Sequence, residues 1–519
     1  MKIHTRTWKL AFPLVAVAML LAPGEARAWD FLDTRVTWTF GDDDVLADAG
    51  EVFPESPLPG IGDRDGYELF FDNLDSQYTG REHQTELVMY KRMPSLLDER
   101  LTIEAAIVLR LDFEALYGHS ADVDDVLRDD GSYIRMVYNW SESRPDDGLE
   151  IVLFPLSTER FRVGYLYDLS WGGGAIFTTR ATGLTPGLKL QLRLGSFYYF
   201  IGLKTSVINQ EVAVDTGDVE LSDTEHTIIG LRETNYGGLT GLGIDAASWL
   251  RLDLSGGIFQ TGTFPINGLR TEGVYSYGGA LRIVFHQGIP VGMSSDFRLY
   301  RNDPDAPASV GRSEEYAPGQ FSWYLSVEGG LIAQHLANPD AFAQTTEQVG
   351  YAAALQLRIK YGYFRANLTG FVRNAPYLLH NVPSLVPFYS IAAEGVTTGP
   401  QLFGALGADY HFSRAHLTIG AMLGVEMPAY YTSDTSDTTM VIGERGIESR
   451  LPQGEDPWPV VATRISASWQ LAEFLTLVAF MQYVRDSNQT RLESTPWGTR
   501  RVYLREDQLG FAIMAQARF

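Results

Sequence analysis

Ten bases, Arg110, Arg135, Arg162, Lys189, Arg193, Arg251, Arg282, Arg358, Lys360 and Arg464, share one local signature: each sits on the polar parity of a segment whose other parity is apolar. The acids Glu104, Asp112, Asp168, Asp253, Glu328 and Asp409 fall on that same parity. Fixed charges facing one enclosed space can do two things. They can select ions and polar solutes that pass them, or they can neutralise one another as salt-bridge ladders. Other chemistry finds less support. No G-x-S-x-G or H-E-x-x-H motif occurs, and His83, His119, His226, His286, His380, His411 and His416 lie near expected loops and strand ends, so no enzyme and no catalytic residue is expected. The acidic runs at 42–44, 122–130 and 215–225 lack the spacing of a calcium loop, so neither metal nor cofactor is expected.

The elements that carry these charges are read from period two, since successive side chains of a strand point to opposite faces. LTIEAAIVLRLDF sets Leu101, Ile103, Ile107, Leu109 and Leu111 against Thr102, Glu104, Arg110 and Asp112. RFRVGYLYDLSW, GLKLQLRL, YAAALQLRIKY and RISASWQLAEFLTLVAFMQY alternate in the same way. These runs reach ten to thirteen residues, against about 5–6 for soluble strands and about 9–11 for strands that cross a bilayer. Aromatic residues gather at their ends, at Tyr133, Tyr138 and Trp140, at Tyr165, Tyr167 and Trp171, at Phe197 to Tyr199, and at Trp469 and Phe474. Amphipathic rings at both margins of an apolar band form the girdles of membrane barrels.

Connections alternate in length. The short ones include PLSTERFRV, RLGSFYYFI, DAASWLRLD, KYGYFRANL, HFSRAHLTI and QLAEFLTLV; between them fall long polar stretches near 208–225, 261–273, 374–398, 426–459 and 487–503. About nineteen strands can be counted, and a single-chain barrel takes an even number. The expectation is an all-β, transmembrane, antiparallel up-and-down β-barrel of 18 strands, with 16 as the next choice. The ambiguous regions are 132–155, where SYIRMVYNW and LEIVLF crowd together, and 289–301.

Residues 1–28 have the basic start, the apolar run Leu10 to Ala22 and the Ala26-Arg27-Ala28 site of a secretory signal peptide, with export through the Sec pathway and cleavage after Ala28. Residues 29–519 then form the barrel. A net charge of −23 argues against nucleic acid as a partner, and the absence of cysteine excludes disulfides and a lipid-anchoring thiol. The stretch 41–84 holds twelve acids and two bases, with Pro54, Pro57 and Pro59 in its middle; it is expected to act as a constriction or lid, or else as a solvated surface loop.

The segment LGFAIMAQARF places Leu509, Phe511, Ile513, Ala515, Ala517 and Phe519 on one parity. It resembles the C-terminal signal of Gram-negative outer-membrane β-barrel proteins, porin-like proteins among them, and selects no particular family. The resemblance implies an outer-membrane location, reading by the barrel-assembly machinery, contact with outer-membrane lipid and lipopolysaccharide, and a possible homotrimer. The function expected is a channel for passive diffusion of small hydrophilic solutes. An exporter or channel specific for an anionic polysaccharide, or a structural surface protein anchored by its barrel, are the alternatives.

Overall fold

The computed structural model describes residues 33–42, 44–46, 60–61, 70–71, 85–93, 99–111, 127–129, 131–141, 144–158, 161–172, 185–214, 227–264, 268–269, 272–289, 291, 317–379, 389–392, 395–434, 438–442, 448–452, 454–495 and 498–519. Eighteen wall strands follow one another: β1 Asp33–Asp42, β2 Glu86–Met93, β3 Leu101–Leu111, β4 Tyr133–Ser141, β5 Arg144–Phe154, β6 Gly187–Leu194, β7 Phe197–Val214, β8 Thr227–Ala247 and β9 Leu250–Thr263. The second half comprises β10 Gly273–Gln287, β11 Ala317–Ala337, β12 Thr345–Gly362, β13 Phe364–Arg373, β14 Gln401–Phe412, β15 Leu417–Met427, β16 Val460–Ala472, β17 Leu475–Arg485 and β18 Asp507–Arg518.

Each strand pairs antiparallel with its sequence neighbour, and β18 pairs antiparallel with β1 from Arg35↔Arg518 to Asp42↔Phe511, so the ring closes. Closure leaves no strand edge unpaired in the wall. The last residue takes part in the seam, since Phe519 and Thr34 exchange main-chain hydrogen bonds at 2.8 and 3.2 Å.

The expected number of 18 is the observed one, and the surplus candidate was not in 132–155. SYIRMVYNW and LEIVLF lie in two genuine strands, β4 and β5, that register with each other from Ile134↔Leu153. The extra candidate was RFRVGYLYDLSW, which is no wall strand. Its positive-φ glycines, Gly164 (φ 109°) and Gly172 (φ 81°), break the extended path, and a 3-10 turn spans Tyr167–Leu169. PLSTERFRV is correspondingly not a short turn but the entry to a long connection between β5 and β6. Of 289–301, only Ile289 and Val291 lie among the described residues, in a long link between β10 and β11. The other short connections stand as expected, at 195–196, 248–249, 363, 413–416 and 473–474.

The long connections on the opposite rim build additional structure. Val396–Gly399, Ala429–Ser433, Thr438–Ile442 and Glu448–Pro452 pair into a four-stranded sheet, and Thr490–Thr495 pairs with Gly498–Tyr503 as a hairpin. A short helix, α1 Ala375–Leu379, packs Ala375 and Leu378 against Ala429 and Ile442 of that sheet.

Candidate functional site: the lumen and its inward loop

The outward parity is an apolar belt. Leu203, Leu254, Ile258, Leu281, Leu331, Leu355, Leu406, Ile419, Leu423 and Ile465 are all exposed, which in water would be a severe liability. Rings mark both margins of the belt. Tyr236, Tyr275, Tyr277, Tyr351 and Tyr483 stand towards the long loops, and Phe321, Tyr361, Phe364, Tyr410, Phe412, Trp469 and Phe474 towards the short turns. Tyr351 and Tyr361 are ten residues apart on β12. At about 3.3 Å per residue and a tilt of roughly 40° this spans about 25 Å, the height of an outer-membrane barrel's apolar band. Tyr133, Tyr165, Trp171 and Tyr198, expected in the girdles, are buried inside instead.

The inward parity is polar. On β9 and β10 the Asp253 carboxylate accepts Arg251 Nε (2.9 Å), Arg282 Nε and Nη2 (3.0 and 2.7 Å) and the Tyr198 hydroxyl (3.0 Å). Arg251 also reaches Asp245 at 3.0 Å. On β3 to β6, Arg135 bridges Glu104 (2.7 Å) and Glu150 (2.8 Å), with Lys189 at 3.5 Å from Glu150 and the Tyr90 hydroxyl donating to Glu104 at 2.6 Å. Arg193 donates to Asn139 at 3.3 Å. Arg365 and Asp409 pair at 2.7 Å. Arg464 donates to Gln482 Oε1 at 3.1 and 2.8 Å and lies over the Phe71 and Phe480 rings. Arg358 lies over Tyr324, and Lys360 is buried on the same strand. Arg110 is paired with Glu86 by its main chain, and its side chain, like the whole of Asp112, lies outside the described residues.

Arg162 and Asp168 are elsewhere. They belong to the 155–172 arm, which leaves β5 and folds across the interior. Its apolar residues pack on the inward rings of the wall: Phe161 stacks on Phe154 (centroids 5.6 Å) and meets Phe200 at 5.8 Å, and Trp171 meets Phe259 edge-on at 5.3 Å. The wall makes room by having no side chain at the contact. A Cβ on Gly202 would come within 2.3 Å of the Phe161 ring, and one on Gly237 within 2.2 Å of Phe259, the wall ring against which Trp171 packs. Arg162 turns back onto its own arm, donating to the Ser170 carbonyl at 3.0 Å and lying over Tyr167.

Wall side chains hold the arm by its backbone. The Glu328 carboxylate accepts the Tyr165 and Leu166 N–H groups at 2.8 and 2.7 Å. The Lys204 ammonium donates to the carbonyls of Phe161, Thr158 and Gly172 at 2.6, 2.7 and 2.5 Å. Arg373 donates to the Asp168 carbonyl at 2.7 Å, and the Tyr377 hydroxyl of α1 to that of Leu169. Burial pushes the phenols of Tyr165 and Tyr377 above the ordinary tyrosine range, so both stay neutral.

Glu328, Asp253 and Arg282 form one lateral row, because Asp253 pairs with Arg282 and Arg282 with Glu328 across β9, β10 and β11. The arm's attachment is thus built into the same row as the Asp253 charge cluster. Lys204, Arg373 and Tyr377 were not singled out from sequence. Lys204 continues the inward parity of Tyr198, Phe200 and Gly202, so its direction was legible; its carbonyl partners were not. A second insertion touches the far wall: Phe70 and Phe71 are buried, with Phe70 5.4 Å from Phe403 and both rings against Gly424.

The even-numbered closed ring, the belt and the two girdles decide the architecture. The molecule is an outer-membrane-type β-barrel. No protein-family model and no curated protein matches the chain. Solved structures align with it over most of its length. Pseudomonas aeruginosa OccK11 (OpdR) aligns at 10% identity and TM-score 0.41, covering 94% of this chain and 95% of its own. The outer membrane protein opdK from Pseudomonas aeruginosa aligns at 8% and 0.44, covering 94% and 98%. OmpT, an outer membrane protein of Vibrio cholerae, aligns at 9% and 0.36, covering 94% and 96%. At these scores the likenesses add nothing to the assignment, which rests on closure, strand number and belt.

Proposed function

We propose that the chain is an outer-membrane channel through which small hydrophilic solutes diffuse passively, narrowed by the 155–172 arm. The observation that carries this reading is the arm itself, which projects into the interior and is held there by Glu328, Lys204, Arg373 and Tyr377. An arm held by its main chain keeps a fixed position, as a size filter requires. The inward charges would bias what passes. Arg251, Arg282, Arg358 and Arg464 carry positive charge on the inward parity. They support the form of this reading in which anionic solutes are favoured, and a channel specific for an anionic polysaccharide is its stricter form.

Conductance and ion selectivity in a planar bilayer test it. Replacing Arg282, Arg358 and Arg464 by Gln is expected to shift selectivity towards cations; unchanged selectivity would reject the basic-wall reading. Phe70 and Phe71 support a contribution to the narrowing from 41–84, and deletion of that stretch should then raise conductance. Recognition of Leu509, Phe511, Ile513 and Phe519 by the barrel-assembly machinery, cleavage after Ala28 and a homotrimer belong to the proposal too. Chemical cross-linking in the membrane tests the last.

A further inference from the structure

The Thr490–Thr495 and Gly498–Tyr503 hairpin prolongs the β17–β18 ribbon beyond the belt. The Asp486 N–H donates to the Glu506 carbonyl at 2.8 Å and the Leu504 N–H to that of Gln489 at 2.9 Å, bridging a short break at which the register slips by one residue. The strand Glu448–Pro452 abuts this hairpin: the Thr490 N–H donates to Ser449 Oγ at 3.1 Å, and the Thr490 hydroxyl to the Arg450 carbonyl at 2.8 Å. Register places Arg501 opposite Leu492 and Tyr503 opposite Thr490, so these four share one face. Arg450 is exposed beside it, as are Leu492 and Tyr503.

Two arginines of this face, Arg450 and Arg501, differ from those beside them. Arg500, on the opposite face, pairs with Glu493 at 2.8 Å, and Arg485 lower on the ribbon pairs with Glu506 at 2.7 Å. Among the described residues neither Arg450 nor Arg501 has such a partner, in a chain whose net charge is −23. Partial burial and the charge of Arg450 both push the Arg501 guanidinium below its ordinary value, so the two cations repel. The described carboxylate on this side, Glu455, acts on the Tyr503 phenol. Two guanidinium forks are matched by the oxygens of a carboxylate or phosphate, and a tyrosine ring beside them offers a flat face to a sugar.

Height identifies the occupant. Tyr483 of the upper girdle pairs with Leu509, and Tyr503 lies six residues from Leu509 in the chain, at the near end of the hairpin. At the same rise and tilt this is roughly 15 Å above the girdle, in the headgroup layer of the outer leaflet. We propose that Arg450 and Arg501, with Tyr503 beside them, bind the carboxylates or phosphates of the acidic core sugars of lipopolysaccharide. The inference rests on the outer-membrane placement and not on conduction, so a barrel that conducts nothing leaves it standing.

The test uses the full-length protein in detergent, stripped of glycolipid and titrated with lipopolysaccharide that retains its core sugars or with lipid A alone. The native protein is expected to bind the core-bearing form at least about tenfold more tightly. That gap should close in R450Q/R501Q and persist in R500Q. R450K/R501K, which keeps the charge and loses the fork, should fall between. Equal binding of both glycolipids by the native protein, or an undiminished gap in R450Q/R501Q, overturns the proposal. Heat-modifiable gel mobility reports whether each variant has folded; if R450Q/R501Q has not, the lysine pair decides, and a full gap there is equally contrary.

Discussion

The Glu328 carboxylate accepts the Tyr165 main-chain N–H at 2.8 Å, joining residues 163 positions apart in sequence. Its other oxygen accepts the Leu166 N–H, so a single buried side chain on β11 fixes the middle of the arm. Such hydrogen bonds contribute about 0.5–1.5 kcal/mol each, and about 1.5–3 kcal/mol when the acceptor is charged. Glu328→Gln retains one acceptor oxygen and loses the charge, so one attachment should fail and the other weaken. The expected outcome is a noisier and larger single-channel current, with the barrel still folded by gel mobility. A current identical to the native one would mean that the arm is held by its apolar residues alone.

Lys204 serves the other end. Its ammonium collects three carbonyls of the arm, and no methylene isostere can do so. Lys204→Met leaves those acceptors unsatisfied at about 1–3 kcal/mol each if they stay buried. The arm is therefore expected to lift rather than remain in place. Limited proteolysis within 155–172 should become faster in Lys204→Met than in the native protein, while cleavage elsewhere is unchanged.

The glycine seats make a separate prediction, one of space. Gly237→Val puts branched carbon where the Phe259 ring now sits, and Gly202→Val does so at Phe161. Overpacking of this kind costs about 1–3 kcal/mol when the surroundings can shift. Gly238, on the outward parity beside Gly237, has only distant neighbours for a Cβ, at 3.9 and 4.0 Å. Gly238→Val should therefore leave the arm's protease protection as it is, and Gly237→Val should reduce it.

The belt is tested by the depth rule. Leu331→Arg, at an exposed position on the outward parity of β11, should destabilise the barrel by about 2–4 kcal/mol in lipid if it lies near mid-depth. Urea unfolding in liposomes measures this. A cost near zero would place that parity in water.

Most of the wall was legible in the sequence because period two is a local signal: a residue's parity tells its face wherever the strand is regular. Arg251, Asp253 and Arg282 were assigned to one common face on that basis alone, and they meet there as one buried ion-paired cluster. The same rule misplaced Arg162 and Asp168 on a wall strand. Phe161, Val163 and Trp171 alternate as a strand would, but their apolar side chains meet the inner wall instead of lipid. Period two reports that one side is apolar and is silent on what covers it. Gly164 and Gly172 within that run were the available warning, since an unbroken wall strand has little use for two left-handed residues. The tethers were beyond reach for a different reason. Lys204 and Glu328 bind main-chain atoms of the arm, and every residue carries the same main chain, so no side-chain pattern in 155–172 marks the contact.

The decisive measurement is the single-channel conductance of the native protein against a variant in which residues 159–170 are replaced by a short Gly-Ser linker. An open ring lined with charge and narrowed by the arm predicts ion current in both, and a larger one in the variant. Silence from both proteins in a bilayer, or one current common to the two, would contradict it.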